Sequence, residues 1–175
     1  MSSVRLREEE LKVEEVELAL SQLLGAHLIG LGRAADMQWF MFRDAADREI
    51  ALHVQCAWRL CSGDTILVTR IDYWRPASAD IEYKDDEDDV GTRLRDVQNE
   101  KVRELLGDGT RASSVSGDVY GGFVLAFENG WALHCFADAS PTSHDFEEYW
   151  RLFVRGDRSR HVVVGSNGFL TREAT

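Results

Sequence analysis

Two short strings in the first half of the chain come back, in the same order, in the second. Ala51-Leu52-His53 is echoed by Ala132-Leu133-His134, and Trp58-Arg59-Leu60 by Trp150-Arg151-Leu152. Looser echoes flank them: Leu23-Leu24-Gly25 with Leu105-Leu106-Gly107, Phe40-Met41-Phe42 with Leu125-Ala126-Phe127, and Leu67-Val68 with Val163-Val164. The spacing between counterparts changes only at likely loops, among them a longer turn at 44–48 against Asn129-Gly130 and an insertion over 138–147. An ordered echo of this kind is the signature of an internal repeat, and a repeat constrains a fold more than any single motif does.

Each half reads as a helix followed by strands. Residues 5–24 place Val13, Val16, Leu20 and Leu23 at helical spacing, with Glu8, Glu9 and Glu10 near the start, where the helix dipole favours negative charge, and Gly25 as a C-terminal cap. Residues 90–106 repeat the pattern, with Val90, Leu94, Val97, Val102 and Leu105 on one stripe. Apolar strands are expected over 28–31, 37–42, 50–60 and 66–71, then over 111–115, 121–127, 131–136, 149–154 and 161–165. Asn129-Gly130 is the strongest hairpin signal in the chain.

The expected fold is therefore α+β: an internally duplicated unit of a helix plus an antiparallel four-strand meander. Halves of about 10–74 and 90–170 are joined by an acidic linker over 75–89, and neither is long enough to bury a secure core alone. A single domain is expected over 1–175, with the halves packed about a pseudo-twofold axis and helices covering sheet faces.

Charge narrows the function. The net charge is −11, and seven of the ten residues over 80–89 are acidic. This disfavours nucleic acid and anionic membrane surfaces as partners and leaves room for a basic protein. The run Asp85-Asp86-Glu87-Asp88-Asp89 lacks the alternating ligands and distant glutamate of a calcium loop, so its expected roles are a solvated linker or a docking strip for a basic surface. No apolar run approaches the length of a membrane helix, and the charged start, MSSVRLREEELK, is unlike a signal peptide, so a cytoplasmic location is expected. Cys56, Cys61 and Cys135 are odd in number and lack framework spacing, which marks them as reduced thiols.

No motif specifies catalysis, a metal or a cofactor. Strand alternation puts His53 and Cys56 on opposite faces, and His134 and Cys135 likewise, so four ligands cannot converge as zinc requires. Ser143-His144-Asp145 has the residue types of a hydrolase triad, but adjacent side chains do not converge and there is no nucleophile elbow. Thr142 or Ser143 reads better as a helix cap, and Gly30, Gly32, Gly121 and Gly122 as strand kinks or bulges. One constellation stays open. His53, His134, Arg59 and Arg151 are repeat counterparts and would line a ligand cleft if they met at the pseudo-axis; otherwise each arginine is expected to pair with a carboxylate across strands.

LHVQCAWR, followed by ILVTRID and later by FENGWALHCFADAS, EYWRLF and HVVV, resembles a family of uncharacterised bacterial proteins of the GC-rich, actinobacterial type, over roughly residues 20–170. The resemblance implies no activity. The same region is more weakly similar to small acidic immunity proteins, which neutralise toxins of neighbouring cells, and that likeness assigns no individual residue. The favoured expectation is a non-catalytic binding protein with a basic protein partner. The competing one is a small-ligand-binding protein or enzyme with a cleft between the halves. A homodimer through the N-terminal helix is a third.

Overall fold

The computed structural model describes residues 12–81, 91–140, 146–156, 160–166 and 168–173. It is a mixed α+β fold, mostly β, with two antiparallel sheets facing each other across one core. The first half supplies helix α1 (Val13–Leu20) and strands β1 (His27–Ala34), β2 (Met37–Arg43), β3 (Glu49–Val54), β4 (Ala57–Ser62) and β5 (Thr65–Thr69). The second supplies α2 (Leu94–Glu104), β6 (Ala112–Gly117), β7 (Phe123–Phe127), β8 (Trp131–Phe136), β9 (Glu148–Val154), β10 (Arg160–Gly165) and β11 (Gly168–Glu173).

The expected four-strand meander does not form. The run over 50–60 is two strands in different sheets. The chain leaves the first sheet after β3, crosses at Gln55 and Cys56, and starts β4 in the second. The second half makes the same move in the opposite direction between β8 and β9. The sheet orders are β1-β2-β3-β9-β10-β11 and β5-β4-β8-β7-β6, so the central pairings, β3 with β9 and β4 with β8, each join one half to the other.

The crossing leaves no trace in the residue pattern, for a physical reason. The core lies between the two sheets, so a chain passing from one to the other keeps the same alternate residues facing inward. Leu52, Val54, Cys56, Trp58 and Leu60 are all buried without a break in the alternation.

Aromatic contacts join the layers: Phe40 meets Trp58 edge-on at 5.5 Å, Phe123 meets Trp150 edge-on at 5.7 Å, and Phe42 stacks on Phe127 at 6.3 Å. The layers also touch at one margin, where Gly25 N donates to Ala112 O and Ala112 N donates to Ala26 O, both at 2.9 Å.

Each helix serves the other half. In α1 the stripe Val16, Ala19 and Leu20 is buried, and Val16 lies so close to β6 that a Cβ on Gly117 would come within 3.0 Å of it. Gly25, at φ +80°, ends this segment in the left-handed conformation that glycine adopts without strain. The apolar stripe of α1 is thus used within its own chain. Helix α2 lies against β1 and β5 on only part of the expected apolar stripe: Val102 is buried, but so are Arg95 and Asn99, while Leu105 is exposed. Its polar groups, buried Asn99 and exposed Arg103 among them, have partners on the first half. Asn99 exchanges side-chain hydrogen bonds with Gln38 at 3.0 and 3.4 Å, and Arg103 donates to Leu31 O at 3.2 Å. Gly30 follows a register shift in β1, as a bulge glycine would, whereas Gly32 is required by the Trp39 ring lying over it, 2.4 Å from where a Cβ would sit.

The expected linker over 75–89 has an anchored base. Ala77 N donates to Thr92 O and Leu94 N to Arg75 O, each at 2.8 Å, so this connection leaves and returns at one point.

Candidate functional site

The four repeat-related side chains form two pairs on opposite faces of the molecule. On the outer face of the first sheet, His53 of β3 stands opposite Arg151 of β9. On the outer face of the second, Arg59 of β4 stands opposite His134 of β8. His53 and Arg59 share the same strand parity, yet the crossing between them turns that parity toward opposite sides. The shared cleft expected of these four residues is therefore not formed. The expected cross-strand pairing with a carboxylate is not what Arg151 makes: its Nε and Nη2 donate to Glu148, three residues back on the same strand, at 3.1 and 2.5 Å. Arg59 instead lies over the Phe136 ring at 5.3 Å, and His53 meets Phe153 edge-on at 4.9 Å.

Burial and the neighbouring Arg151 hold the His53 imidazole below the ordinary histidine value, against the pull of Glu148; burial and Arg59 do the same to His134. Each arginine acts on one histidine. Arg151→Gln is expected to raise the midpoint of His53 in an NMR titration and leave His134 in place, and Arg59→Gln to do the reverse. Equal movement of both histidines in either variant would contradict the two-pair arrangement.

A cleft does lie where the two crossings meet, with a different lining. Gln55 N and Cys56 N, on the first crossing, both donate to Tyr149 O, at the end of the second, at 2.9 and 3.3 Å. Around this junction is a cleft of about 270 Å³ bordered by Asp36, Cys56, Arg70, Asp138, Glu147 and Glu148, among others. The one arginine or lysine among the described residues that line it is engaged: Arg70 Nη1 donates to Asp138 at 2.9 Å, with Asp36 at 3.9 Å. Tyr149 closes one wall by donating its hydroxyl to Ala139 O at 2.6 Å, and burial, then Cys56 and Asp138, push its phenol up. Behind the lining, Cys56 Sγ lies 3.1 Å from the Sγ of Cys135, which does not itself border the cleft. Burial, then the Cys56 thiol, then Asp138 and Asp118, push the Cys135 thiol well above its ordinary value.

A second polar cluster gave no signal in the sequence. Arg33, Arg93 and Arg95 all lie over the Tyr73 ring, at 5.2, 4.9 and 4.8 Å. Arg95 is fully buried, lies 5.8 Å from the Trp58 ring, and donates to Asp36 O and Arg70 O at 2.6 and 3.2 Å. Burial pulls its guanidinium down to about 10, so it stays charged at neutral pH. In Thr92-Arg93-Leu94-Arg95 the alternating arginines look like a solvated helix start, because charge in a sequence carries no mark of burial.

Asp85, Asp86, Glu87, Asp88 and Asp89 lie outside the described residues, as do Thr142, Ser143, His144 and Asp145. Among the described residues no three His, Cys, Asp or Glu side chains are placed to hold a metal ion, and no helix is long and apolar enough to cross a membrane. Comparison with known proteins finds no match: no protein family, curated protein or solved structure is significantly similar to this chain. The resemblance stated for LHVQCAWR, ILVTRID, FENGWALHCFADAS, EYWRLF and HVVV thus rests on those strings alone.

Proposed function

We propose that this is a non-catalytic binding protein that takes an arginine or lysine side chain of a basic partner protein into the cleft between the crossings. The observation that carries the reading is the lining among the described residues: Asp36, Asp138 and Glu147, with a Glu148 that Arg151 already pairs, against Arg70. Arg70 shows how a guanidinium sits against Asp138 there. The volume, about 270 Å³, falls just under the roughly 300–1,000 Å³ of small-molecule pockets and suits one long side chain. A net charge of −11 would steer a basic partner toward the surface, and the run Asp85 to Asp89 would add to that field. Neutralising a toxin, as the immunity proteins do, is one role that such a surface would serve.

The alternative, a small-ligand-binding protein or an enzyme at the same place, has one observation in its favour: the cleft lies where the two halves meet. We also infer that the halves arose by duplication about a pseudo-twofold axis. The order β1-β2-β3-β9-β10 has the counterpart order β6-β7-β8-β4-β5, and the repeat counterparts Phe42 and Phe127 stack on each other.

A hexa-arginine peptide titrated into isotopically labelled protein at low salt tests the binding reading. Amide shifts should cluster at Gln55, Cys56, Arg70 and Tyr149. The double variant Asp138→Asn, Glu147→Gln should weaken binding by about tenfold or more. Shifts spread evenly over the surface, or an affinity indifferent to the double variant, would overturn the proposal.

A further inference from the structure

We propose that Cys56 and Cys135 form a redox-sensitive pair that a small peroxide, entering through the cleft, converts to a disulfide. Three observations carry this. First, the sulfurs are already in contact at 3.1 Å, so a rotation of about 1 Å at the sulfurs reaches bonding distance. Second, although both residues are buried in the core, Cys56 borders the cleft, so one residue of the pair lies beside an opening to solvent. Third, the two cysteines belong to different halves: Cys56 is in the first crossing and Cys135 is in β8, two strand positions from it, opposite Trp58. Two thiols that only filled space would need neither contact nor an opening.

The chemistry balances in two steps. Cys56, losing its proton, attacks one peroxide oxygen. An S–O bond forms, the O–O bond breaks, and the other oxygen leaves as water, giving a sulfenic acid. The Cys135 sulfur then attacks the Cys56 sulfur. The S–S bond forms, the S–O bond breaks, and the hydroxyl leaves as a second water with the Cys135 proton. The two sulfurs together lose two electrons, and the peroxide gains them.

The surroundings select the oxidant. Asp138 and Glu147 border the cleft, and anionic thiol carriers such as oxidised glutathione meet like charge there. A neutral peroxide does not. The reaction should be slow, since the resolving thiol of Cys135 is held in its protonated form. Cys61, on β4, is the internal control: it is buried, and its strand partner is Ala132. The proposal stands independently of what occupies the cleft.

The test uses the full chain. Protein reduced beforehand is exposed to hydrogen peroxide, quenched with catalase, unfolded in N-ethylmaleimide and mapped by peptide mass. The expected product has lost two hydrogens, carries one maleimide on Cys61, and yields a Cys56–Cys135 linked peptide that dithiothreitol releases. In Cys135→Ala the reaction should stop at a Cys56 sulfenic acid that dimedone traps. Sulfinic acid on Cys56 beside a free Cys135, a link through Cys61 or between chains, or three free thiols after prolonged exposure would each overturn the proposal. The wild-type map decides even if the variant fails to fold.

Discussion

Trp150→Ala is expected to cost about 3–5 kcal/mol, read as a lowered denaturant midpoint with an unchanged slope. Trp150 is fully buried in β9, a strand that pairs with β3 of the other half. Three losses combine. The largest is the cavity left by an indole in the middle of the core. The second is the edge contact with Phe123 at 5.7 Å, an arrangement worth about 0.5–1.5 kcal/mol beyond its buried area. The third is the hydrogen bond from Trp150 Nε1 to Gly121 O at 2.7 Å, whose acceptor would be left buried without that donor. Leu18→Ala, at a side chain 73% exposed on α1, is the control and should stay within about 0.5 kcal/mol. A cost for Trp150→Ala close to that of the control would mean that the core is not built around this indole.

Asp96→Ala should be comparably damaging, by about 3–5 kcal/mol at neutral pH, and its effect should depend on pH. Asp96 accepts from Arg33 Nε and Nη2 at 2.6 and 2.9 Å, with both side chains nearly buried, at 4% and 10% exposure. It also accepts from the backbone N–H groups of Gly91 and Arg93 at 2.9 and 3.3 Å, which satisfies donors at the start of α2. Removing it takes the paired carboxylate from a buried guanidinium and loosens the helix start together. Burial alone would push the Asp96 carboxyl up, but Arg33 and the two amides outweigh it and hold the group below its ordinary value. A depressed carboxylate contributes stability that is fully present above its unfolded value, about 3.9, and is lost as pH falls through the folded one. The gap between wild type and Asp96→Ala should therefore narrow in strong acid. Urea titrations at neutral and strongly acidic pH measure it, and a gap that does not change would count against the ion pair as its source.

The elements were largely readable in the sequence; their placement was not. Both helices, the Asn129-Gly130 hairpin between β7 and β8, and most strands lie where periodicity and turn residues put them. The crossing at Gln55-Cys56 was hidden because nothing in the alternation breaks there and no glycine or proline marks it. That one hidden event sent His53 and Arg59 to opposite sides and dissolved the expected His–Arg cleft. Helix α2 was recognised by type but not by face, since its buried side is held by Asn99 against Gln38 and by Arg95 against Tyr73, partners from 22 to 61 residues away in the chain. The site at the junction was equally out of reach. Asp36, Arg70, Asp138 and Glu147 have no common spacing, and only the crossing brings them together.

The exchanged strands also set the order of events during synthesis. As the first half leaves the ribosome, β3 has β2 on one side, but its other edge must wait for β9; β4 likewise waits for β8. Leu52 pairs with Leu152, so the first sheet cannot be completed until β9 of the second half has been made. Contacts so far apart in sequence make folding slow and leave unsatisfied strand edges exposed in the meantime. A nascent chain of this design therefore carries open β-edges for as long as the second half is missing. A truncated first half has a ready escape from the same problem: two copies can lend each other the strand that the missing half would have supplied.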